Sequence, residues 1–563
     1  MKNKLLIFCS IFFIATVISC TDDFNEINEQ PDALSASDLS AKYFVTDLQQ
    51  GLWGANTFGM WLGNILHADL FSGQNAQGYA QCDWNGDAGW VYSAFWQGFT
   101  YSTIANYNSP LTSFTNLVKK DGALENDQFY AIALIMKSSF YQQFTDMYGM
   151  VPYSEASDPT IKTPKYDDQI DIYKGVIAEL NEAIALIGNN TVTGKGIELL
   201  GSNDIVFKGD MQKWKQLANS LKLRMALRAH GATGENFSAT AASEAIASGV
   251  LADSDALFTR DPEINQWTSA SYGDIWATWP GSRWNVAEPM INALNLNNDP
   301  RLSMMAQPSK GGVITITKPT DSDGVALINS HIAFLKNTLD TAGATYTIVD
   351  NSTNFVVTMP ANTNYVGLPM RLSPKIKRYF NFDMFSIPAQ KIIQAKNQGK
   401  ELFPHIVMSA GESHLMVAQA IVEGLASGDA ASHYQLGIKH AMKLWGTVDS
   451  TAESTYLSSS MGTLSGTNDV KLEKIATQRW IANYTNGWEA WSIVRKTGYP
   501  KTAYSIASSA TSDIISLGGD LNGAYPGRLR YGDVYGSNGA NTQDALTKQG
   551  ADVMSTKLWW AKK

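Results

Sequence analysis

Apolar residues recur at helical spacing along much of this chain, and their stripes predict a series of long amphipathic helices. Between Glu125 and Tyr148 the apolar positions are Phe129, Ile132, Ala133, Met136, Phe140, Phe144 and Met147. That i, i+3, i+4 pattern puts one helical face against a core. The same spacing predicts helices over Asp167–Ile187, Asp210–His230 with Asp210 as N-cap, Ser238–Ser248, Val407–Leu425 and Ala431–Trp445. Another runs from Val470 to Asn486 and on through Trp488 and Trp491, and a less regular stripe (Leu39, Tyr43, Leu48, Leu52) predicts one from Ser37 to Gly54. Small residues at Ala410, Ala418, Ala420, Gly424, Ala430 and Ala441 let the two helices of 407–446 lie close, in the manner of a tetratricopeptide pair. No clean ~34-residue period recurs.

Between the helices lie long polar stretches at about 55–92, 252–290, 310–380 and 500–555. Within the third, GGVITITKP, ATYTIVD and FVVTMP alternate and are rich in Val, Ile and Thr, which predicts a small β excursion. Loops this long in a folded protein usually carry function. The expected fold class is all-α: tetratricopeptide-like helix pairs as scaffold, with long irregular loops and a small β excursion.

The amino end breaks the pattern. Lys2 and Lys4 precede an apolar run of 14 residues, Leu5 to Ile18. As a helix it is about 21 Å long, short of a ~30 Å hydrocarbon core. Ser19 and Cys20 follow, and the stretch reads as a lipoprotein signal cut before an acylated Cys20, although Val17 and Ile18 depart from the common Leu-Ala-Gly-Cys form. The expected organisation is a signal at 1–19, a lipidated Cys20 with an acidic linker to 36, and one helical domain over 37–563.

Charge and cysteine content narrow the class. The chain has 52 acidic and 43 basic residues, and losing Lys2 and Lys4 takes the net charge from −9 to −11. No basic run of five occurs, so nucleic acid is not an expected partner. With Cys9 in the signal and Cys20 acylated, Cys82 is left alone and no internal disulfide can form.

Motifs of catalysis are missing. The chain has no His-Glu-x-x-His, no Gly-x-Ser-x-Gly and no dinucleotide glycine fingerprint, and Gly188 to Lys195 misses the phosphate-loop spacing. Its seven histidines stand at no ligand spacing. Asp83 to Asp87 resembles half a calcium loop, but Gly89 falls at the seventh position and Ala94 at the twelfth. No catalytic residue, metal or cofactor is expected, while a carboxylate pair for glycoside hydrolysis could still be assembled in space.

Two aromatic segments offer binding chemistry instead. Segment 79–96 interleaves tryptophans with Asp and Asn, and segment 267–284 does so with Asp274 and Arg283. A sugar's C–H face on one indole removes ~50–60 Å² from water, about 1.5 kcal/mol. The candidate ligand residues are Tyr79, Trp84, Asn85, Trp90, Trp276, Trp279 and Trp284. Trp214, Trp488, Trp491, Trp559 and Trp560 read as packing, and Arg224 and Arg228 as partners of carboxylates.

Several stretches, in this order, resemble the SusD/RagB family of outer-membrane nutrient-binding lipoproteins, in its SusD-like branch. They are Cys20–Pro31, Thr145–Ala156, Lys208–Arg224, Asn298–Arg301, Glu473–Trp491, Arg495–Pro500, Pro526–Leu529 and Lys557–Trp560. The resemblance implies a tetratricopeptide-like fold and a lipid-anchored place on the outer membrane, facing the exterior. It further implies a SusC-like TonB-dependent transporter barrel as partner, with this chain as its lid. The expected cargo is an oligosaccharide, with a peptide as the alternative and a surface glycoside hydrolase as the remaining one.

Overall fold

The structure, a computed structural model, describes residues 40–562 apart from 55–58, 78–90, 92, 191–197, 260–271, 279–283, 378, 380, 395–402, 447–448, 505–520, 522–523 and 533–535. Cys20, its signal and the acidic linker therefore lie outside the described residues.

Helices packed against their neighbours in sequence make the scaffold. Asp127–Tyr148 lies on Gln169–Ile187, Met211–Ala229 on Ser238–Ser248, Ala410–Val422 on Ala430–Trp445, and Asn468–Ala482 on Gly487–Thr497. Local chemistry sets their starts. Asn126, Asp210 and Asp429 each accept two backbone N–H bonds from the first turn that follows, caps worth about 1 kcal/mol each. The stripe read from 125–148 is buried throughout. The mainly α, tetratricopeptide-like fold class is the one observed.

Three boundaries differ from the sequence expectation. The helix expected from Val407 starts at Ala410, because His405–Met408 pairs as a strand with Ala256–Phe258 and Ser409 caps the next turn. The continuous helix expected over 470–491 is two helices, Asn468–Ala482 and Gly487–Thr497. Asn483 folds its amide back onto the Arg479 carbonyl, and Thr485 takes a positive φ of 73°. A Cβ at Gly487 would sit 2.1 Å from Asp69 Oδ1 and 2.7 Å from the Asp69 nitrogen, so the second helix can begin there only with glycine. The stretch expected as loop and strands over 310–380 has the expected antiparallel sheet, Gly312–Thr317, Asn354–Met359 and Thr347–Asp350 with the second in the middle. It also holds an unexpected 20-residue helix, Ser322–Thr341.

The long polar stretches are less irregular than their composition suggests. Met60–Ala68 is a π-helix running into Asp69–Phe71, and Gly539–Gln549 is a helix within 500–555. Ala94–Ala105 is a helix without a strong stripe in the sequence, and Asn108–Val118 is a further unexpected helix that buries Leu111, Phe114 and Val118 along one face. No helix among the described residues is long and apolar enough to cross a membrane.

Candidate functional site

Both tryptophan-rich segments start from one short ladder. Asn75–Gln77 pairs antiparallel with Trp284–Val286, with Gln77 opposite Trp284 and Asn75 opposite Val286. Residue 78 follows the end of the first strand and residue 283 precedes the start of the second. The segments 78–90 and 279–283 therefore spring from points ~4.5–5.5 Å apart, although some two hundred residues separate them in sequence.

The ladder is held from behind. Gln74 Nε2 donates to the Trp480 carbonyl at 2.7 Å, and Trp480 Nε1 donates to the Ser72 carbonyl at 2.8 Å. The Tyr272 hydroxyl lies 2.8 Å from Asp69 Oδ2 and 3.1 Å from the Thr485 carbonyl. At the far end of segment 78–90, Gln97 Nε2 donates to the Val91 carbonyl at 2.7 Å. The Trp480, Ser72, Thr485 and Val91 carbonyls are buried backbone groups that would cost free energy if left unpaired.

The expected ligand residues divide into three groups. Trp284 is only 1 % exposed, covered by Tyr272 at 5.7 Å and by the edge of Trp276 at 5.2 Å. Contrary to expectation it is a packing residue, the post against which Trp276 leans. Trp276, on Tyr272–Thr278, is half-buried and keeps part of its ring accessible. Tyr79, Trp84, Asn85, Trp90 and Trp279 lie outside the described residues, as does the Asp83–Asp87 stretch.

Carboxylates near the ladder are supports. Burial pushes Asp69 up to about 7 despite the hydrogen bond from Tyr272. It is fully enclosed, so it cannot reach a substrate. Glu288, just after the ladder, is also pushed up to about 7 by burial.

The motif residues hold the scaffold as their types suggested. Arg224 pairs with Glu412 at 2.6 Å, and Arg228 bridges Asp146 and Glu489. Trp214 donates to Asp204, Trp560 to Asp146, and both indoles are buried. Three histidines at no ligand spacing in the sequence, His414, His433 and His440, meet where Ala410–Val422 packs on Ala430–Trp445. His414 Nε2 faces the Ala252 carbonyl at 3.0 Å, which leaves its Nδ1 to accept from His433 Nδ1 at 3.0 Å. No group of three or more His, Cys, Asp or Glu among the described residues could hold a metal ion.

Sequence reasoning missed a cavity of about 360 Å³ between Val45–Trp53, the π-helix and Ala94–Ala105, with Trp488 in its wall. Its lining comes from segments far apart in sequence, and no single stretch signals it.

Comparisons with known proteins agree with this architecture. No curated protein matches the sequence. Among solved structures, a chitin-binding SusD homologue from Flavobacterium johnsoniae superposes with a TM-score of 0.68 at 21% identity, over 92% of this chain and 98% of that one. A SusD homologue from Bacteroides uniformis gives 0.67 at 23%, over 93% and 99%. A SusD-like protein from Bacteroides thetaiotaomicron gives 0.68 at 22%, over 93% and 99%. At such identities the likeness speaks for the fold alone. The sequence itself matches the SusD-like family, described as starch-binding and associating with the outer membrane, over residues 68–333 and 347–519; the chain belongs to that family.

Proposed function

We propose that this protein captures glycan chains outside the cell and passes them to a SusC-like TonB-dependent barrel, for which it serves as lid. Acyl chains on Cys20 hold it to the outer face of the outer membrane in this reading. The observation that carries glycan capture is the Asn75–Gln77 and Trp284–Val286 ladder. It brings the bases of two tryptophan-bearing segments together beside the part-exposed Trp276, in a chain of a starch-binding family. Two or three indole platforms at about 1.5 kcal/mol each, with Asn and Asp at their edges, suit micromolar to millimolar affinity. Such affinity lets cargo be released to a transporter. The chitin-binding relatives favour sugar over peptide as cargo.

The test is binding of the mature chain to maltooligosaccharides, chitooligosaccharides and a peptide panel, repeated with Trp84→Ala, Trp276→Ala and Trp279→Ala. Each substitution is expected to weaken glycan binding about tenfold, the equivalent of ~1.4 kcal/mol. Unchanged affinity in all three removes the site assignment. Peptide binding without glycan binding replaces the cargo, and a cleavage product replaces capture by hydrolysis.

A further inference from the structure

The 360 Å³ cavity and the apolar cluster that holds Trp284 share the π-helix Met60–Ala68. Leu62 serves both sides, packing in the apolar cluster that holds Trp284 and lining the cavity. Ala94–Ala105 links them as well. Its Trp96 packs on that cluster, while Phe99, one turn on and 41 % exposed, stands at the cavity wall with its ring 6.1 Å from that of Trp96. The volume falls at the small end of the ~300–1,000 Å³ usual for small-molecule sites.

The chemistry of the lining is selective. None of the described lining residues is charged. Apolar rings (Phe99, Tyr107, Phe140, Trp488) alternate with amides and hydroxyls (Gln50, Asn64, Thr100, Thr103, Gln143). Gln50 spends its Nε2 on the Gly54 carbonyl at 2.9 Å, while its buried Oε1 has no partner and awaits an O–H or N–H donor. Room is kept by glycine at Gly63, where a Cβ would already stand 3.4 Å from Trp488 and any longer side chain would compete for the space. A charged ligand would lose its hydration here without gaining a counter-charge. A neutral ring with apolar faces and hydroxyl edges meets a partner for each.

We infer that this cavity is a second glycan subsite, one that receives the terminal ring of a neutral sugar chain whose body lies on the tryptophan-bearing surface proposed above around Trp276, the ledge. The inference rests on the glycan-capture reading. It adds chain-end recognition, since a cavity of about 360 Å³ has room for a terminal ring.

The experiment is a crystal structure of the mature chain with maltoheptaose and another with chitohexaose, alongside binding of both sugars to Thr103→Trp. Thr103 is exposed at the mouth, so the indole blocks entry without burying anything in the core. The expected result is a terminal ring beside Trp488 and Phe140 with a hydroxyl on Gln50 Oε1, and affinity about tenfold weaker in Thr103→Trp. Sugar on the ledge with none in the cavity, and unchanged affinity in Thr103→Trp, overturns the subsite and leaves glycan capture standing. Sugar in the cavity but not on the ledge keeps the subsite and removes the ledge. Neither sugar bound anywhere overturns both.

Discussion

Asp69 and His67 stand two residues apart in sequence; both are fully buried, and burial moves them in opposite directions. Asp69 rises from 3.8 to about 7, so the folded protein holds its proton more tightly than the unfolded chain does. Its contribution to stability is complete below pH 3.8 and is lost as pH rises towards 7. His67 falls from 6.5 to about 4, as does His414, and their contribution is complete above pH 6.5 and lost as pH falls towards 4. Asp69→Asn separates the two effects. Relative to the native chain, the variant should gain stability steadily between pH 4 and 7. At ~1.36 kcal/mol per pH unit the gain approaches roughly 4 kcal/mol. Denaturant unfolding across that window checks it, and a constant difference would mean that Asp69 is ionised throughout.

At the scale of elements, Gly487 is the joint between the Asn468–Ala482 and Gly487–Thr497 helices and the Asp69 turn. Gly487→Ala must push the Asp69 backbone aside, an overpacking cost of ~1–3 kcal/mol or more. It should lower the melting temperature and, because Tyr272 bonds Asp69 and Trp284 packs on Tyr272, weaken glycan binding too. Loss of stability with unchanged binding would uncouple the joint from the ledge. The long helices could be read directly because a stripe such as Phe129 to Met147 states its own period. The break at 483–486 could not, since the apolar spacing continues through it and the cause is the approach of Asp69 from four hundred residues away. Ser322–Thr341 was hidden by the Val- and Thr-rich strands on either side. At the site, residue type could find the tryptophan segments but not their burial. Nothing in WNV distinguishes Trp284, shut inside a ladder, from Trp276, left half in solvent.

For the whole molecule, attachment and capture are separable. If Cys20 carries the lipid, Cys20→Ala should abolish fatty-acid labelling and release the protein from membranes. The released chain should bind glycan with native affinity, because the ledge, its anchors and the cavity all lie beyond residue 40. Fractionation after metabolic labelling checks the first outcome, and a variant that stays acylated and membrane-bound sinks the anchor assignment.

The ladder also bears on how such a chain is made. Its two strands belong to residues near 75 and 285, and the groups that brace it belong to residues near 480. The Asp127–Tyr148 and Gln169–Ile187 pair can form as soon as its own stretch is available. The ladder and its brace have to wait until Trp480 has emerged. Closing contacts over such sequence separations is slow compared with pairing neighbouring helices. A truncated or nicked product ending before that residue would therefore keep its early helix pairs and lack a finished grip, so helical content by itself would be a poor measure of competent protein.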